Sequence, residues 1–593
     1  MQRIISDFRH YDDDFGKKGN NLKILADLFE DMKNVIVPDT MVISKNIFYE
    51  IIKSNEGRDL SNYEEIVLNK KIEEEIIKAI RDKFKNNKLV VRSSATCEDS
   101  IFFSGSGQYD SFLNVSSDDE ILDAIKKVYA SFFSENSKLY TSIYNMDLSN
   151  EAMLVLIQKV APVISSGVMF SCSPVTGEKK FIFEWTKGLG TAVVEGIGNI
   201  NSLEISANNI EKIKDKNILA LLNCLLKIRE KFGTEVDVEW GIDKNNNIYI
   251  FQARPVVSLN NNINIYYDTK NIDVNSDCES ISRGFAIGKV SKMTDKERGT
   301  ILYQNEKYDF NYLKDILESK GIILKEKSLL SHFANITREL YKPCVYSKTF
   351  CFEDKLVYIV DGFNHNIIDF DTLSAKQKIN FLFIYFEYLN EIKKYSYEKF
   401  NGIIDVYDDS KIEQVIFDID EKKILKVLSE NNYNRILKKE EIYTYDTSDN
   451  SFIDEDTIFR IQKDDNSVRI QLKSLDKKKF YRQEKGIIIE FNNLENAKLF
   501  MDSLGMNLTG YQERKIKKYV SDDSIINIVK WPGCEPYLGI EVKNKEDLFN
   551  IHHLLGVEDN YKSGMGGKEI FDRLNLKLND CNFKENVKCK RKK

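Results

Sequence analysis

Proline is scarce in this chain, seven residues in 593, and tryptophan (three) and histidine (five) are scarcer still. Few prolines beside abundant Lys, Asn and Ile read as a base-composition bias, which blunts arguments from composition and leaves motifs untouched. Long hydrophobic runs are missing too. No stretch approaches the ~18 apolar residues of a membrane helix, and residues 1–7 hold no signal-peptide core, so no membrane partner is expected. The nine cysteines are scattered, odd in number and never in a close CxxC pair. That excludes a disulfide framework or zinc ribbon and predicts reduced thiols in a cytoplasmic protein. A strong charge is also absent: 86 basic against 93 acidic residues leave −7, a poor match to a polyanion, so nucleic acid is not an expected partner. What is present is ordinary, with 42% apolar and 30% charged residues. Such a chain folds, into about four units at ~150 residues each.

Residues 1–258 alternate helical patterns with β-rich runs at 88–92, 154–158, 181–185 and 248–252, which predicts an α/β or α+β unit. Residues 259–280 are polar, Asn-rich and aperiodic, a linker with slack. A compact segment with Gly-bounded strands follows over 281–370. In the helical connector 371–405, the capping box Ser374-Ala375-Lys376-Gln377 opens a helix expected to reach about Lys399. Its Phe383, Tyr385, Phe386 and Tyr388 suit a docking surface for a neighbouring domain. Residues 411–560 read as alternating strands, and 561–593 as an extension with a solvated basic end. No internal repeat is visible.

The densest chemical signal is Arg92-Ser93-Ser94-Ala95 leaving a strand, followed by Ser104-Gly105-Ser106-Gly107-Gln108. A guanidinium fork and exposed backbone N–H groups bind phosphate oxygens, although a polar hairpin uses the same residues. Gly16-Lys17-Lys18-Gly19 at a helix start is a second anion site. Asp237-Val238-Glu239 and Gln252-Ala253-Arg254 place acid, amide and cation on paired strands, hard oxygen donors of the kind that suit Mg2+. Together with Gln158-Lys159, Ser173-Pro174-Val175-Thr176-Gly177 and Gly188-Leu189-Gly190, this order of motifs resembles the nucleotide-binding domain of the phosphoenolpyruvate synthase and pyruvate phosphate dikinase family, over residues 15–258. The resemblance implies an ATP-grasp-type fold that binds ATP and Mg2+. It implies phosphate contacts from Lys18, Arg92 and Arg254, metal contacts from Glu239 and Gln252, Gln158 near the adenine and Glu184 near the ribose. The chain departs from the family at Lys17, Asn136, Thr141 and Thr191, where a glycine, two arginines and an acid are usual.

Among the histidines, His332 follows Ser331 at an expected helix start, where an imidazole can meet an anion and act as a nucleophile. A lone histidine is more often a capping residue. The surrounding Gly284-Phe285-Ala286-Ile287-Gly288, Ser331-His332 to Leu340, and Val360-Asp361-Gly362 resemble the swivelling phosphohistidine domain of the same family. That implies a phosphoryl carrier at His332 with Arg338 as phosphate partner. Lys327-Ser328-Leu329-Leu330 replaces the family's glycine-rich approach to this histidine.

After residue 370 about 220 residues remain, too β-rich for a (β/α)8 acceptor barrel. Stretches such as Arg460-Ile461, Arg469-Ile470-Gln471-Leu472-Lys473, Arg482-Gln483-Glu484, Glu513-Arg514-Lys515 and Gly539-Ile540-Glu541 resemble the triphosphate-tunnel (CYTH) superfamily of class IV adenylate cyclases and thiamine triphosphatases. The fold class implied for the whole is multidomain α+β: an ATP-grasp-type domain, a swivelling phosphohistidine domain and an antiparallel β-barrel. Arg460, Arg469, Lys473, Arg482 and Arg514, with Glu413, Glu484 and Glu541, would then line a lumen, since only alternate residues of a barrel strand face inward. The family's leading acidic strand keeps only Glu413, so a binding rather than a catalytic tunnel is expected. Charged alternation is equally the mark of a half-exposed antiparallel strand. The expected activity is phosphoryl transfer from ATP through a phosphohistidine to a small acceptor, with AMP and phosphate as by-products. The alternatives are a nucleotide- or triphosphate-sensing protein without turnover, and a CYTH-type triphosphatase or cyclase.

Overall fold

Ile72, Ile76, Ile80 and Phe84 recur at helical spacing along Lys70–Phe84, and all four are buried. They cover one face of a five-stranded sheet whose order is Ile4–Ile5, Thr40–Ile43, Met153–Lys159, Leu89–Ala95 and Ser111–Val115. The central strand Met153–Lys159 is apolar through its first five residues because both of its faces are covered. Its other face packs on the helix Gly16–Leu28, which separates it from a second, six-stranded sheet. The order there is Val35–Ile36, Ile248–Pro255, Val236–Asp243, Val163–Phe170, Lys180–Lys187 and Asn201–Ser206.

This computed structural model describes residues 3–5, 14–98, 109–143, 146–188, 200–256, 272–275, 277–292, 300–304, 312–326, 332–353, 356–392, 404–431, 433–447, 457–477, 482–521, 523–532 and 534–557, with 265, 267 and 452. The glycine-rich 104–108 and residues 189–190 lie outside the described residues. So do 393–403 and the C-terminal extension.

The middle domain is a seven-stranded sheet ordered Cys278–Ser282, Cys344–Ser347, Gly321–Leu324, Ile301–Gln304, Phe285–Lys292, Val357–Asp361 and Asn366–Asp369. One of its faces encloses a core of its own around Ala286, Ile323, Val345 and Val360. The opposite face is divided into two flanks. Leu302, Ile322, Leu324 and Cys344 lie under the helices Tyr312–Glu318 and His332–Glu339 and meet the N-terminal half. Phe285, Ile287, Val357 and Ile359 lie under the helix Ala375–Ile392.

The segment expected to be a slack linker is anchored where it is described. Ile265 is buried in the core under Ala375–Ile392, and Tyr267 donates a hydrogen bond of 2.6 Å to Asp361 while its ring meets Phe381 edge-on. An Asn-rich composition hid two large side chains that have somewhere to pack. The C-terminal strands close into an eight-stranded barrel in the order Ile404–Ile416, Arg482–Phe491, Val468–Lys477, Thr457–Lys463, Asn434–Asp446, Asn507–Val520, Ser524–Lys530 and Tyr537–Val542. Its first strand begins at Ile404 rather than at the expected 411, because the acidic run Asp405–Asp409 masks a strand whose backbone pairs along its length.

Candidate functional site

Strand register builds the first candidate site. On the second sheet Glu239 stands directly opposite Gln252 on one neighbour and Val168 on the other, and Val168 stands opposite Glu184. Two positions along, Asp237 stands opposite Arg254 and Phe170. Side chains two apart on a strand share a face, so both rows lie on the same side of the sheet. Arg92 reaches this row from the first sheet. Its Nη1 donates to the Phe251 carbonyl at 3.1 Å, and its Nη2 donates to Glu239 Oε2 at 3.1 Å and Gln252 Oε1 at 2.7 Å. Two hard oxygen donors thus converge on one point.

In the neighbouring row Arg254 places Nε and Nη2 each 2.8 Å from Asp237 Oδ2, and both side chains are buried. Burial pushes the Asp237 carboxyl upward, more than Arg254 draws it down. Glu184 is buried on the same face.

Lys18 is aimed by the backbone before it. Gly16 has φ +72°, and a Cβ there would come within 2.2 Å of the Ser94 carbonyl oxygen. The Gly19 N–H donates to Ser94 Oγ at 3.0 Å, and that hydroxyl donates to the Phe15 carbonyl at 2.8 Å. The helix start is therefore clasped to the Arg92 strand. Lys18 Nζ then lies 2.5 Å from Glu98 Oε1 and 3.2 Å from Ser93 Oγ. Gln158 occupies the same face of the first sheet as Arg92, where its Nε2 donates to Thr40 Oγ1 at 2.8 Å.

The helix His332–Glu339 lies over the face just described. Its Phe333 and Ile336 share a core with Val168, Phe170 and Ile182 of the second sheet. The side chain of His332 is outside the described residues, as is Ser331. Tyr140 of the N-terminal half donates to Glu339 at 2.5 Å, both buried. Arg338 donates to the Ile281 carbonyl at 3.0 Å and to Asn335 Oδ1 at 2.6 Å. Burial lowers its guanidinium to about 10, against the attraction of Cys344, Glu184 and Asp237. It remains a cation at neutral pH.

The second candidate site is the barrel lumen. Phe459, Ile461, Ile470, Leu472, Ile487 and Ile489 face outward into the core under Ala375–Ile392. Strand alternation then turns Arg460, Gln462, Arg469, Gln471 and Lys473 inward. Arg460 Nε donates to Gln471 Oε1 at 3.0 Å, and Arg514 lies 2.7 Å from Glu440 Oε2, its directly paired neighbour. Burial would raise Glu440, but Arg514, with Arg460 behind it, more than reverses this and holds the carboxyl below its ordinary range. Glu541 accepts from Asn527 Nδ2 at 2.8 Å, and Glu413 pairs in register with Glu541. Arg469 is drawn to Asp464 at 3.1 Å, beside Lys438 at 2.6 Å. Arg482 and Glu484 pair with Lys477 and Leu475, and their side chains lie outside the described residues.

Three partners were missed from sequence: Glu98 under Lys18, Glu440 under Arg514, and Tyr140 across from Glu339. Glu440 carried a usable signal, since it falls on the same strand parity as the inward Ile442. Among the described residues no cluster of three or more His, Cys, Asp or Glu could hold a metal ion, and no helix is long and apolar enough to cross a membrane.

Residues 13–211 and 198–269 match the family model of the pyruvate phosphate dikinase AMP/ATP-binding domain. A probable phosphoenolpyruvate synthase of Methanothermobacter thermautotrophicus is 26% identical over 340 residues, 49% of this chain and 48% of that protein. The rifampicin phosphotransferase of Bacillus cereus is 29% identical over 202 residues, 28% of this chain and 23% of its own. The chain thus spans half or less of the length of these curated relatives. Among solved structures, a proposed adenylate cyclase of Vibrio parahaemolyticus is 10% identical at a TM-score of 0.25, covering 27% of this chain and 97% of that one. A Hippeastrum protein described as an adenylyl cyclase with dominant triphosphatase activity is 11% identical at 0.24, covering 28% and 95%. The closed barrel stands on this chain's own strand pairing.

Proposed function

We propose that this chain is an ATP-dependent phosphotransferase in which His332 carries the phosphoryl group to a small acceptor. The observation that carries this reading is the seating of the His332–Glu339 helix on the sheet face that bears Glu239, Glu184, Asp237 and Arg254, within the region that matches the dikinase nucleotide-binding family model. Arg92, Arg254 and Lys18 would bind phosphates, Arg92 and Lys18 by leaving Glu239 and Glu98, and Arg254 from its place beside Asp237. Gln158 would lie near the adenine and Glu184 near the ribose. Glu239 and Gln252 would hold Mg2+, as oxygen donors aimed at one point. The ion would neutralise charge on the phosphate chain. In the transfer an imidazole nitrogen would attack the β-phosphorus of ATP with AMP as leaving group. Water would then release the terminal group of the resulting pyrophosphohistidine as phosphate, and a hydroxyl-type acceptor would take the remaining phosphoryl group and free the imidazole. The overall change is ATP, water and acceptor to AMP, phosphate and phosphorylated acceptor. Arg338 would steady the phosphorylated ring from the same helix.

Incubation with Mg2+ and β-labelled ATP should leave acid-labile, base-stable label on His332 and release AMP, while γ-label should end in free phosphate. Label that persists in His332→Ala would overturn the assignment. The lumen supports a second binding function, because Arg460, Arg469, Lys473 and Arg514 occupy inward positions of one closed barrel. A phosphorylated small molecule held there should bind more weakly as salt rises.

A further inference from the structure

We infer that the middle domain and the C-terminal barrel form one rigid body, so that a ligand in the lumen stays at a fixed separation from His332 and is not its phosphoryl acceptor. The body is argued from packing alone; its consequence for His332 rests on the phosphotransfer reading above. A carrier domain that visits two stations needs a separable contact with each. The two contacts of the middle domain differ in kind.

On the barrel side there is a single continuous core. Phe285 and Val357 of the middle domain, Phe386 of the helix Ala375–Ile392, Phe459 and Ile470 of the barrel wall, and Phe500 of the helix Leu494–Ser503 all belong to it. The ring of Phe386 lies 6.2 Å from Phe459 and 6.2 Å from Phe500, while Phe381, earlier on the same helix, stacks on Phe285 at 6.2 Å. The contact extends to the backbone. Gly505, at φ +72°, approaches Val357 so closely that a Cβ would lie 2.3 Å from its methyl carbon. Lys320 Nζ donates to the Ile287 carbonyl at 3.2 Å and lies 4.7 Å from the centre of the Phe500 ring. The segments flanking the domain are held as well, through Ile265, Tyr267 and Phe370.

On the nucleotide side the shared core is smaller and carries a polar contact, Tyr140 to Glu339, with the charges of Glu184 and Asp237 acting on Arg338 from across it. Water can replace polar contacts at a modest net cost, whereas a shared apolar core cannot be parted without exposing it. The flank that opens is therefore the one bearing the His332 helix. The barrel travels with the middle domain, and the acceptor has to arrive from solvent at the opened flank.

Hydrogen exchange of the full chain, read by mass spectrometry on Phe386→Ala, tests the rigid body without any activity. Removing this ring should lower protection by about a hundredfold or more. The loss should be equal in Phe285–Lys292, Val357–Asp361 and the barrel strands Thr457–Lys463 and Val468–Lys477, while Leu89–Ala95 and Met153–Lys159 keep theirs. Phe386→Leu gives the same readout at smaller amplitude should the alanine variant not fold. Loss confined to the middle domain or to the barrel would overturn the inference. Failure of His332 to label would leave the packing argument standing, so the two outcomes are separable.

Discussion

In the N-terminal half Arg92 leaves its own sheet to meet Glu239 and Gln252 on another; in the barrel Arg514 meets Glu440 on the very next strand. The side-chain chemistry is nearly the same. The mechanical setting is not. Arg514 and Glu440, like Asp237 and Arg254, are fixed opposite each other by ladder register, and neither can leave without disturbing a sheet. The contact of Arg92 is fixed only by how two sheets meet, so an anion entering between them can take the arginine over. Register pairs are built for holding, and a crossing pair for exchange.

The largest effects should separate these classes. Arg254→Ala and Arg514→Ala each strand a buried carboxylate, and urea unfolding should show losses of about 3–5 kcal/mol. Arg92→Ala should cost little stability and about thirtyfold in nucleotide affinity, on the order of 2 kcal/mol by calorimetry. An Arg92 variant as unstable as the other two, with unchanged affinity, would dissolve the distinction.

Acid should divide the two register pairs. Glu440 lies below its ordinary value of 4.5, so the stability it brings is present above that value and is lost as pH falls through the folded one. Asp237 lies above its ordinary 3.8 because it is buried; it takes up protons on folding, and its contribution declines as pH rises from 3.8 through the folded value. Glu440→Gln should therefore flatten the acid limb of the melting profile, and Asp237→Asn should flatten a slope of opposite sign. Parallel changes in the two variants would mean that one of these environments is misassigned. The smallest effect belongs to Gln158→Leu. It removes one hydrogen bond while Thr40 keeps its bond to Pro38, about 1 kcal/mol of stability. A larger loss of nucleotide affinity than of stability would place this residue against the base.

Much of this was legible wherever a short period carries the information. The alternation Arg469, Gln471, Lys473 against Ile470 and Leu472 indicates one inward and one outward face before any barrel is seen, and Asp237, Glu239, Gln252 and Arg254 sit on runs that do pair. Contacts set by tertiary meeting were not legible. Nothing local announces that Arg92 faces Gln252, 160 positions away, or Tyr140 Glu339, 199 away. Composition misled at Ile265 and Tyr267, where polar neighbours outvoted two side chains that anchor the segment. The aromatic face around Phe386 was read as a docking surface, and the residues that dock there come from both neighbours.

The clasp between Gly19 and Ser94 has a consequence in time. It joins residues 75 apart, and the strand carrying Ser94 is itself held by Met153–Lys159, farther along the chain. Contacts that close long loops form only after the entropy of closure has been met, so such contacts come late on a folding path. The helix Gly16–Leu28 should be among the last segments to lock into place. Pulse-labelled exchange during refolding should show its amides protected after those of Leu89–Ala95. Until that moment Lys18 has no fixed direction, and a chain with its sheets already built would still be unable to grip a phosphate.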